Sequence, residues 1–334
     1  MKDKKILGQY FTKTNPFDFD LFKTWLLKIR VEYSLEEFNE LTFLEPFAGS
    51  NNIVRMIKEI GLENDWACFD IDNSKENVTP EHIIVEKDTI SSFPTGYDVC
   101  ITNPPYLAKV SASRLKLPYP DTKYEDIYML CLECMLSNCK YVAAIIPESF
   151  ITSGLFTDRL YGVISLNVKM FDDTECPVCL ALFVPSKNGN NFRLYVGNKY
   201  LGDYDHLKSF DLSEYINYYE GWKFNDQQGE IGMKCVDNQQ TDDIYFHEGE
   251  LIEPSRIKIS SRSFTRITGL PKGIDRQTFI NEANNIINEY REKTKDVFLT
   301  SFKGLRKDGV YRRRIDFKTV RCIMNKALEI IRQS

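Results

Sequence analysis

Residues 97–106 read YDVCITNPPY. Val99, Cys100 and Ile101 form a short apolar run of the kind a strand buried on both faces needs. A strand over residues 98–102 is predicted. It then meets two prolines, each fixing its own φ near about −65° and pushing the residue before it toward extended geometry. Asn103 is thereby held extended at the carboxyl end of the strand. Neither Pro104 nor Pro105 has an N–H, so the turn offers chiefly acceptors, the Asn103 side-chain oxygen and the Pro104 carbonyl. Tyr106 adds a flat ring. Two acceptors beside a ring suit a planar amino group that donates two hydrogen bonds, and open α/β sheets bind ligands at the carboxyl ends of their strands.

Working outward, the pattern on both sides is strand alternating with helix. Residues 41–45, LTFLE, form a predicted strand that runs into a small-residue turn, 46–50, PFAGS, and a helix over 51–60. Such a turn lets a ligand approach the backbone near helix N–H groups. It is neither a dinucleotide G-x-G-x-x-G nor a P-loop, which disfavours pyrophosphate. A second strand, 66–69, ends at Asp70, Ile71 and Asp72. An acid about 25 positions after the first turn suits a ribose diol, and Asp70 comes first after the apolar run. A third strand, 82–85, is followed by Asp88 and Thr89, where a carboxylate could accept a bond from an amino group or simply cap a turn.

Residues 107–123 are read as a loop, 124–140 as a helix, 141–146 as a fifth strand, 153–161 as a short helix, and 164–171 and 178–184 as two further strands. Upstream, Phe17, Leu21, Trp25 and Ile29 recur every four residues, predicting a helix over 16–30. The fold expected is α/β, a doubly wound seven-stranded sheet closed by an antiparallel hairpin at one edge. Residues 1–188 form the catalytic domain in this reading. Residues 189–334 form a second, α+β domain, with helices over 275–288 and 318–332 and no assignment for 195–250.

Composition sets bounds. The 334 residues are 43 % hydrophobic and 27 % charged, ordinary for a globular chain long enough for two domains. No apolar run reaches a membrane span, and MKDKKILGQYFT has no signal-peptide core, so a cytoplasmic setting is expected. The nine cysteines follow no disulfide framework. Cys131-x-x-Cys134 and Cys176-x-x-Cys179 fall on a predicted helix and strand rather than on knuckle turns, so no metal is expected. Net charge is −5, but residues 250–334 carry 19 Lys+Arg against 10 Asp+Glu. An acidic first part joined to a basic last part points to a polyanion partner. Arg312, Arg313 and Arg314 are the first candidates for phosphate contacts, with Lys303, Arg306 and Lys307 next.

With these pieces placed, the chain resembles the amino-group DNA methyltransferases of restriction–modification systems, and within them the adenine-N6 class whose motifs run in the gamma order. The resemblance covers about residues 7–185. It implies S-adenosyl-L-methionine as cofactor, cradled by the segment GQYFT with Tyr10 and Thr12. It also implies a methionine-binding turn with Glu45, Pro46, Phe47 and Ala48, a ribose acid Asp70 beside Ile71, and an adenine-ring acid Asp88 with Thr89. Asn103, Pro104, Pro105 and Tyr106 match the catalytic tetrapeptide, with Asn103 next to the cofactor as well. CPVCLALF, 176–183, is similar to the family's edge-strand motif. One glycine stands in FAGSNN, where many relatives have more. The implied substrate is a flipped adenine in duplex DNA, the implied second domain recognises the target sequence, and a cognate restriction endonuclease encoded alongside is an implied partner. Phe171, Phe192 and Tyr195 are candidates for a second ring against the base. Two rival readings are a methyltransferase acting on RNA or protein glutamine, and a catalytically silent DNA-binding subunit. The first usually carries its extra domain ahead of the catalytic one, whereas here the extra residues follow it. The intact Asn103–Tyr106 turn argues against the second.

Overall fold

A computed structural model describes residues 15–74, 76–166 and 176–333. The chain divides into two compact units, Met1–Asp203 and Tyr204–Ser334.

The first unit is built on one sheet. Its strands are β1 (Phe43–Glu45), β2 (Trp66–Asp70), β3 (Ile84–Glu86), β4 (Val99–Thr102), β5 (Tyr141–Pro147), β6 (Leu160–Leu166), β7 (Val178–Phe183), β8 (Arg193–Val196) and β9 (Lys199–Asp203), in the order β3-β2-β1-β4-β5-β7-β6-β8-β9. β3, β2, β1, β4 and β5 are mutually parallel. β7 runs antiparallel between β5 and β6. β1, β4, β5 and β7 are buried at every position, which is why they read as unbroken apolar runs rather than alternations. The chain lays β1, β2 and β3 outward in one direction, then returns to start β4 on the other side of β1. The crevice of such a sheet lies at that switch point, between the carboxyl ends of β1 and β4.

Helices cover the sheet. In α1 (Asp20–Glu32) Leu21, Trp25 and Ile29 are buried, as is Phe17 just ahead of it, so the four-residue recurrence marks a core face. Trp25 Nε1 donates to the Phe183 carbonyl at 2.8 Å, which pins α1 to β7. α2 (Leu35–Glu40) opens with a capping box between Ser34 and Glu37. α3 (Asn52–Glu59) follows the first turn, α4 (Lys109–Leu115) follows the diproline corner, and α5 (Ile127–Asn138) precedes β5.

Five expectations need correction. The sheet has nine strands, not seven. The antiparallel hairpin is present but is not an edge, because β8 pairs with β6 and β9 with β8. Both added strands lie beyond residue 188, so the division between compact units falls at 203, not 188. No helix spans 153–161. A single 3₁₀ turn, Glu148–Thr152, leads to β6, which already starts at Leu160. The basic stretch after the corner is not wholly a loop, since α4 occupies seven of its residues.

The second unit is α+β. Its main sheet is antiparallel, with β10 (Lys223–Phe224), β11 (Ile231–Lys234), β12 (Tyr245–Glu248) and β13 (Phe264–Thr268) in the order β10-β13-β11-β12. A short helix, α6 (Tyr204–Lys208), begins the unit, and two long helices, α7 (Arg276–Thr294) and α8 (Phe317–Gln333), pack against the sheet. A separate hairpin, β14 (Thr300–Leu305) with β15 (Tyr311–Arg314), lies between α7 and α8 in sequence. Trp222, Met233, Phe246, Ile267, Phe279 and Met324 are among the core residues. One charged cluster is buried beside it. Arg291 makes two parallel bonds to Asp237, each 2.9 Å, and a further pair to Asp296. Without Asp237 the buried guanidinium keeps Asp296 but loses the partner for two of its donors, which costs a few kcal/mol. Asp237→Ala is therefore expected to destabilise the second unit by ~3 kcal/mol in urea unfolding, and a loss of under about 1 kcal/mol would contradict a buried role for the pair.

Candidate active site

Glu45 is the last residue of β1 and Thr102 the last of β4, and both are fully buried. Thr102 Oγ1 donates to Glu45 Oε1 at 2.6 Å, and the Phe47 N–H reaches the same oxygen at 3.2 Å. These bonds tie the two strand ends together across the switch point. The second oxygen, Oε2, is buried with no hydrogen-bond partner among the described residues. Burial, partly opposed by the Thr102 and Phe47 bonds, pushes the Glu45 carboxyl up to about 8. A buried carboxylate oxygen without a donor calls for a cation or donor from outside the chain. The ammonium and sulfonium of S-adenosylmethionine are such groups, so the residues present fit that cofactor.

The turn after β1 is held by its neighbours. Thr89 Oγ1 donates to the Pro46 carbonyl at 2.9 Å, and the Ala48 N–H donates to the Phe69 carbonyl at 2.9 Å. Gly49, at a φ of 54° that favours glycine, donates its N–H to Asp70 Oδ2 at 2.7 Å. The other Asp70 oxygen accepts from the Asp72 N–H at 2.9 Å. Asp70 thus braces the turn at the site where the ribose acid is expected. Ile71 beside it is 63 % exposed, an apolar face at the crevice. Asn51, buried in a left-handed conformation, closes the turn through Nδ2 bonds to Asn77 Oδ1 and the His82 carbonyl, both 3.1 Å.

Asp88 behaves differently. It is exposed, and its carboxylate accepts from the Ile90 and Ser91 N–H groups and from Ser91 Oγ at 2.6 Å. The Ser91 hydroxyl is the main cause holding its carboxyl below the ordinary value. That is the turn-capping role of an aspartate as much as a ligand role. The same loop places Thr89 inside, where it buttresses Pro46.

The corner at the end of β4 is rigid. Tyr106 is 8 % exposed, its ring edge meets Tyr128 with centroids 6.3 Å apart, and Pro104 is buried beneath it in sequence. Tyr106 Oη lies 2.5 Å from Asn103 Oδ1 and 2.6 Å from the Ile145 carbonyl. Burial holds the phenol well above its ordinary value, so it keeps its one proton, which these two acceptor oxygens share. Asn103 is half-buried, its side chain fixed by that phenol.

The carboxyl ends of β3, β2, β1 and β4 therefore gather Thr89, Asp70, Ile71, Glu45, Pro46, Phe47, Ala48 and Asn103 through Tyr106 along one edge. Tyr10, Thr12 and Phe171 lie outside the described residues. Phe192 and Tyr195 do not meet the corner. Tyr195 is on β8, four strands from β4, about 19 Å across the sheet. Phe192 directly precedes that strand. Thr102 went unnoticed in sequence. The signal was present: Thr102, like Glu45 and Asp70, is a polar residue that ends an otherwise apolar strand.

The six cations expected on the second unit differ in their surroundings. Arg306 is paired with Asp242 and Asp308, at 2.5 and 2.7 Å. Arg313 donates to Ser301 Oγ at 2.6 Å, and Arg314 is half-buried on β15. Lys303 and Lys307 are exposed. Arg312 lies over the Phe302 ring at 4.7 Å. Among the described residues no three metal-ligating side chains gather, and no helix is long and apolar enough to cross a membrane.

The site thus combines a parallel sheet carrying an antiparallel strand at β7, a turn after β1 and an Asn-Pro-Pro-Tyr corner after β4. Residues 19–166 match the family model described as Eco57I restriction-modification methylase. The resemblance to methyltransferases of restriction–modification systems is borne out. No curated protein matches by sequence. Among solved structures, the chain is similar to the type I restriction-modification methyltransferase subunit from Streptococcus thermophilus, at 14 % identity and TM-score 0.40, over 56 % of this chain and 47 % of that one. It is similar to a chain of the DrdV–DNA complex, at 17 % identity and TM-score 0.42, over 58 % and 28 %. A third match is the M protein of the type I restriction enzyme EcoKI, at 10 % identity and TM-score 0.34, over 47 % and 44 %. The alignments thus span less than half of each of these three chains.

The Glu45 carboxyl yields a test that needs no substrate. Because its folded value, about 8, lies above the ordinary 4.5, the folded chain takes up a proton and its stability falls as pH rises from 4.5 through 8. A cation binds the ionised form better, so S-adenosylhomocysteine affinity should rise up to tenfold per pH unit toward 8 and then level off. Calorimetric titration at several pH values should show that slope in the wild type and its loss in Glu45→Gln. An identical slope in both would place the titrating group elsewhere.

Proposed function

We propose that this protein is a site-specific DNA adenine-N6 methyltransferase, using S-adenosylmethionine, and that it serves as the modification enzyme of a restriction–modification system. The observation that carries the reading is the corner at Asn103. An amide oxygen fixed by a buried phenol stands at the carboxyl end of β4, bonded neighbours of Glu45 and Thr102 beside it. Nothing in that corner is a nucleophile, and Tyr106 keeps its proton. The chemistry it suits is positioning and hydrogen bonding at an amine.

Adenine's amino nitrogen has its lone pair delocalised into the ring, and its N–H bonds are out of reach in a duplex. The base must leave the stack, at a cost of a few kcal/mol. Tyr106, already held by Tyr128 and Ile145, gives the base a ring to stack on, worth about 1–3 kcal/mol. Asn103 Oδ1 and the Pro104 carbonyl accept the two amino hydrogens and localise the nitrogen lone pair. The cofactor supplies an electrophilic methyl on sulfur. Glu45 holds its cationic end, and Asp70 and Ile71 hold its nucleoside, which leaves the acceptors of the corner to orient the amine. The second unit, residues 204–334, supplies DNA contacts and target recognition in this reading.

Asn103→Ala should lower the rate of methyl transfer to duplex DNA at least ~100-fold, as loss of one oriented transition-state bond does. Binding of S-adenosylhomocysteine should stay within about twofold, a change of under half a kcal/mol. Single-turnover transfer of tritiated methyl, with duplex DNA, RNA and protein offered as acceptors, reads the first, and calorimetric titration with S-adenosylhomocysteine reads the second. Near-wild-type transfer by the variant would remove Asn103 from the chemistry. Labelling of RNA or protein alone would favour another acceptor.

A further inference from the structure

One face of the second unit carries a cleft of about 480 Å³ that no part of the methyl-transfer site uses. Its floor comes from the sheet. Lys234 on β11 stands directly opposite Tyr245 on β12 and Phe264 on β13, so the three side chains share a face. Two residues on, His247 lies over Gly232, where any Cβ would collide with its ring. Its Nδ1 is 2.7 Å from the Glu248 carbonyl. A carbonyl only accepts, so Nδ1 carries a proton.

Two guanidinium groups line the cleft, each on an aromatic ring. Arg256 lies 4.9 Å over Phe264, and Arg312 lies 4.7 Å over Phe302 and donates to the Lys303 carbonyl at 2.7 Å. Neither has a carboxylate within ion-pair distance among the described residues, unlike Arg306 and Arg276 nearby in sequence. Of the other charged lining groups, Lys234 is paired with Asp243, and Asp237 is neutralised by Arg291. The uncompensated charge in the cleft is therefore positive, and it sits on planar donors stiffened by stacking. The segment that brings Arg256 adds Lys258, Arg262 and an Ile259 that is 93 % exposed.

We propose that this cleft lies against the backbone of duplex DNA, with Arg256 and Arg312 each binding a phosphate. The proposal rests on the DNA reading given above and assigns its contacts. Duplex is favoured over single strands because one face of Phe264 and one of Phe302 already carry a guanidinium, so those rings orient arginines rather than stack unpaired bases. Exposed Ile259, flanked by cations, suits a groove wall. Of the six cations singled out in the sequence, only Arg312 belongs to this cleft, and Arg256 replaces the rest.

The test is fluorescence anisotropy of the full chain with labelled duplex DNA, repeated over a range of salt. For Arg256→Ala with Arg312→Ala, affinity should fall at least tenfold. The slope of log K against log salt should become shallower by about 1.8, since each phosphate contact contributes about 0.9. Arg256→Lys with Arg312→Lys keeps both charges and should restore the slope, which also separates lost contacts from lost folding. A double alanine variant with wild-type slope and affinity overturns the proposal. So does a lysine variant as flat as the alanine one, or a wild type that prefers single-stranded RNA to duplex DNA. The two readings fail separately. If the wild type transfers no methyl to DNA, the proposed function fails. If it does, and the alanine variant keeps its KM for DNA, only the cleft fails.

Discussion

A strand that ends in two consecutive prolines can neither continue its ladder nor roll at once into a helix. Both prolines lack a donor, and each forces extended geometry on the residue before it. At the end of β4 this leaves Asn103 standing at the edge of a parallel sheet. Burial and the Ile145 carbonyl then fix Tyr106, and Tyr106 fixes the Asn103 amide. The corner is rigid for reasons of backbone chemistry, and the rest of the site is arranged around it.

The arrangement depends equally on strand order. Because β4 lies beside β1, the Thr102 hydroxyl reaches the Glu45 carboxylate, and the two halves of the crevice share one hydrogen bond. From Glu45 the linkage continues through Phe47 to the turn, from the turn through Gly49 to Asp70, and from Pro46 to Thr89. Four strand ends are thereby locked to one another by polar atoms at an otherwise apolar sheet edge. Among the described residues that frame leaves Glu45 Oε2 buried without a hydrogen-bond partner, and this is where a cationic ligand would complete it.

Much of this was readable from the chain. Strands buried on both faces announce themselves as apolar runs, and the polar residues that interrupt them, Glu45, Asp70 and Asn103, mark the edge where a ligand sits. The misses have physical causes. β8 and β9 are short and alternate, in a stretch rich in Tyr, Asp and Asn, and their membership of the sheet is settled by pairing with β6 rather than by local pattern. Residues 160–161 read as helix because Leu160 and Tyr161 suit either state, and β7 decides which one forms. The basic stretch after the corner was read as a loop for its prolines and serines, yet both prolines fall after α4 has ended. Asp88 matches a binding position by spacing and also makes the contacts of a turn cap, the two roles spacing alone does not separate. The cleft on the second unit could not be seen at all. Its lining comes from strands β11, β12, β13 and β14 and from Arg256 and Arg312, which only long-range pairing brings together. Charge counting marks the basic part of the chain but does not distinguish Arg312, stacked and unpaired with any carboxylate among the described residues, from Arg306, which is held between two.

The central claim is that the corner presents oxygen lone pairs to an exocyclic amine. The most direct measurement is the position of the new methyl group. Duplex DNA treated with the protein and a labelled methyl donor would be digested to nucleosides and resolved by mass spectrometry. The account predicts N6-methyladenine as the sole labelled nucleoside. A methyl on a ring carbon, as in 5-methylcytosine, would require a nucleophile that this corner does not contain and would contradict the account.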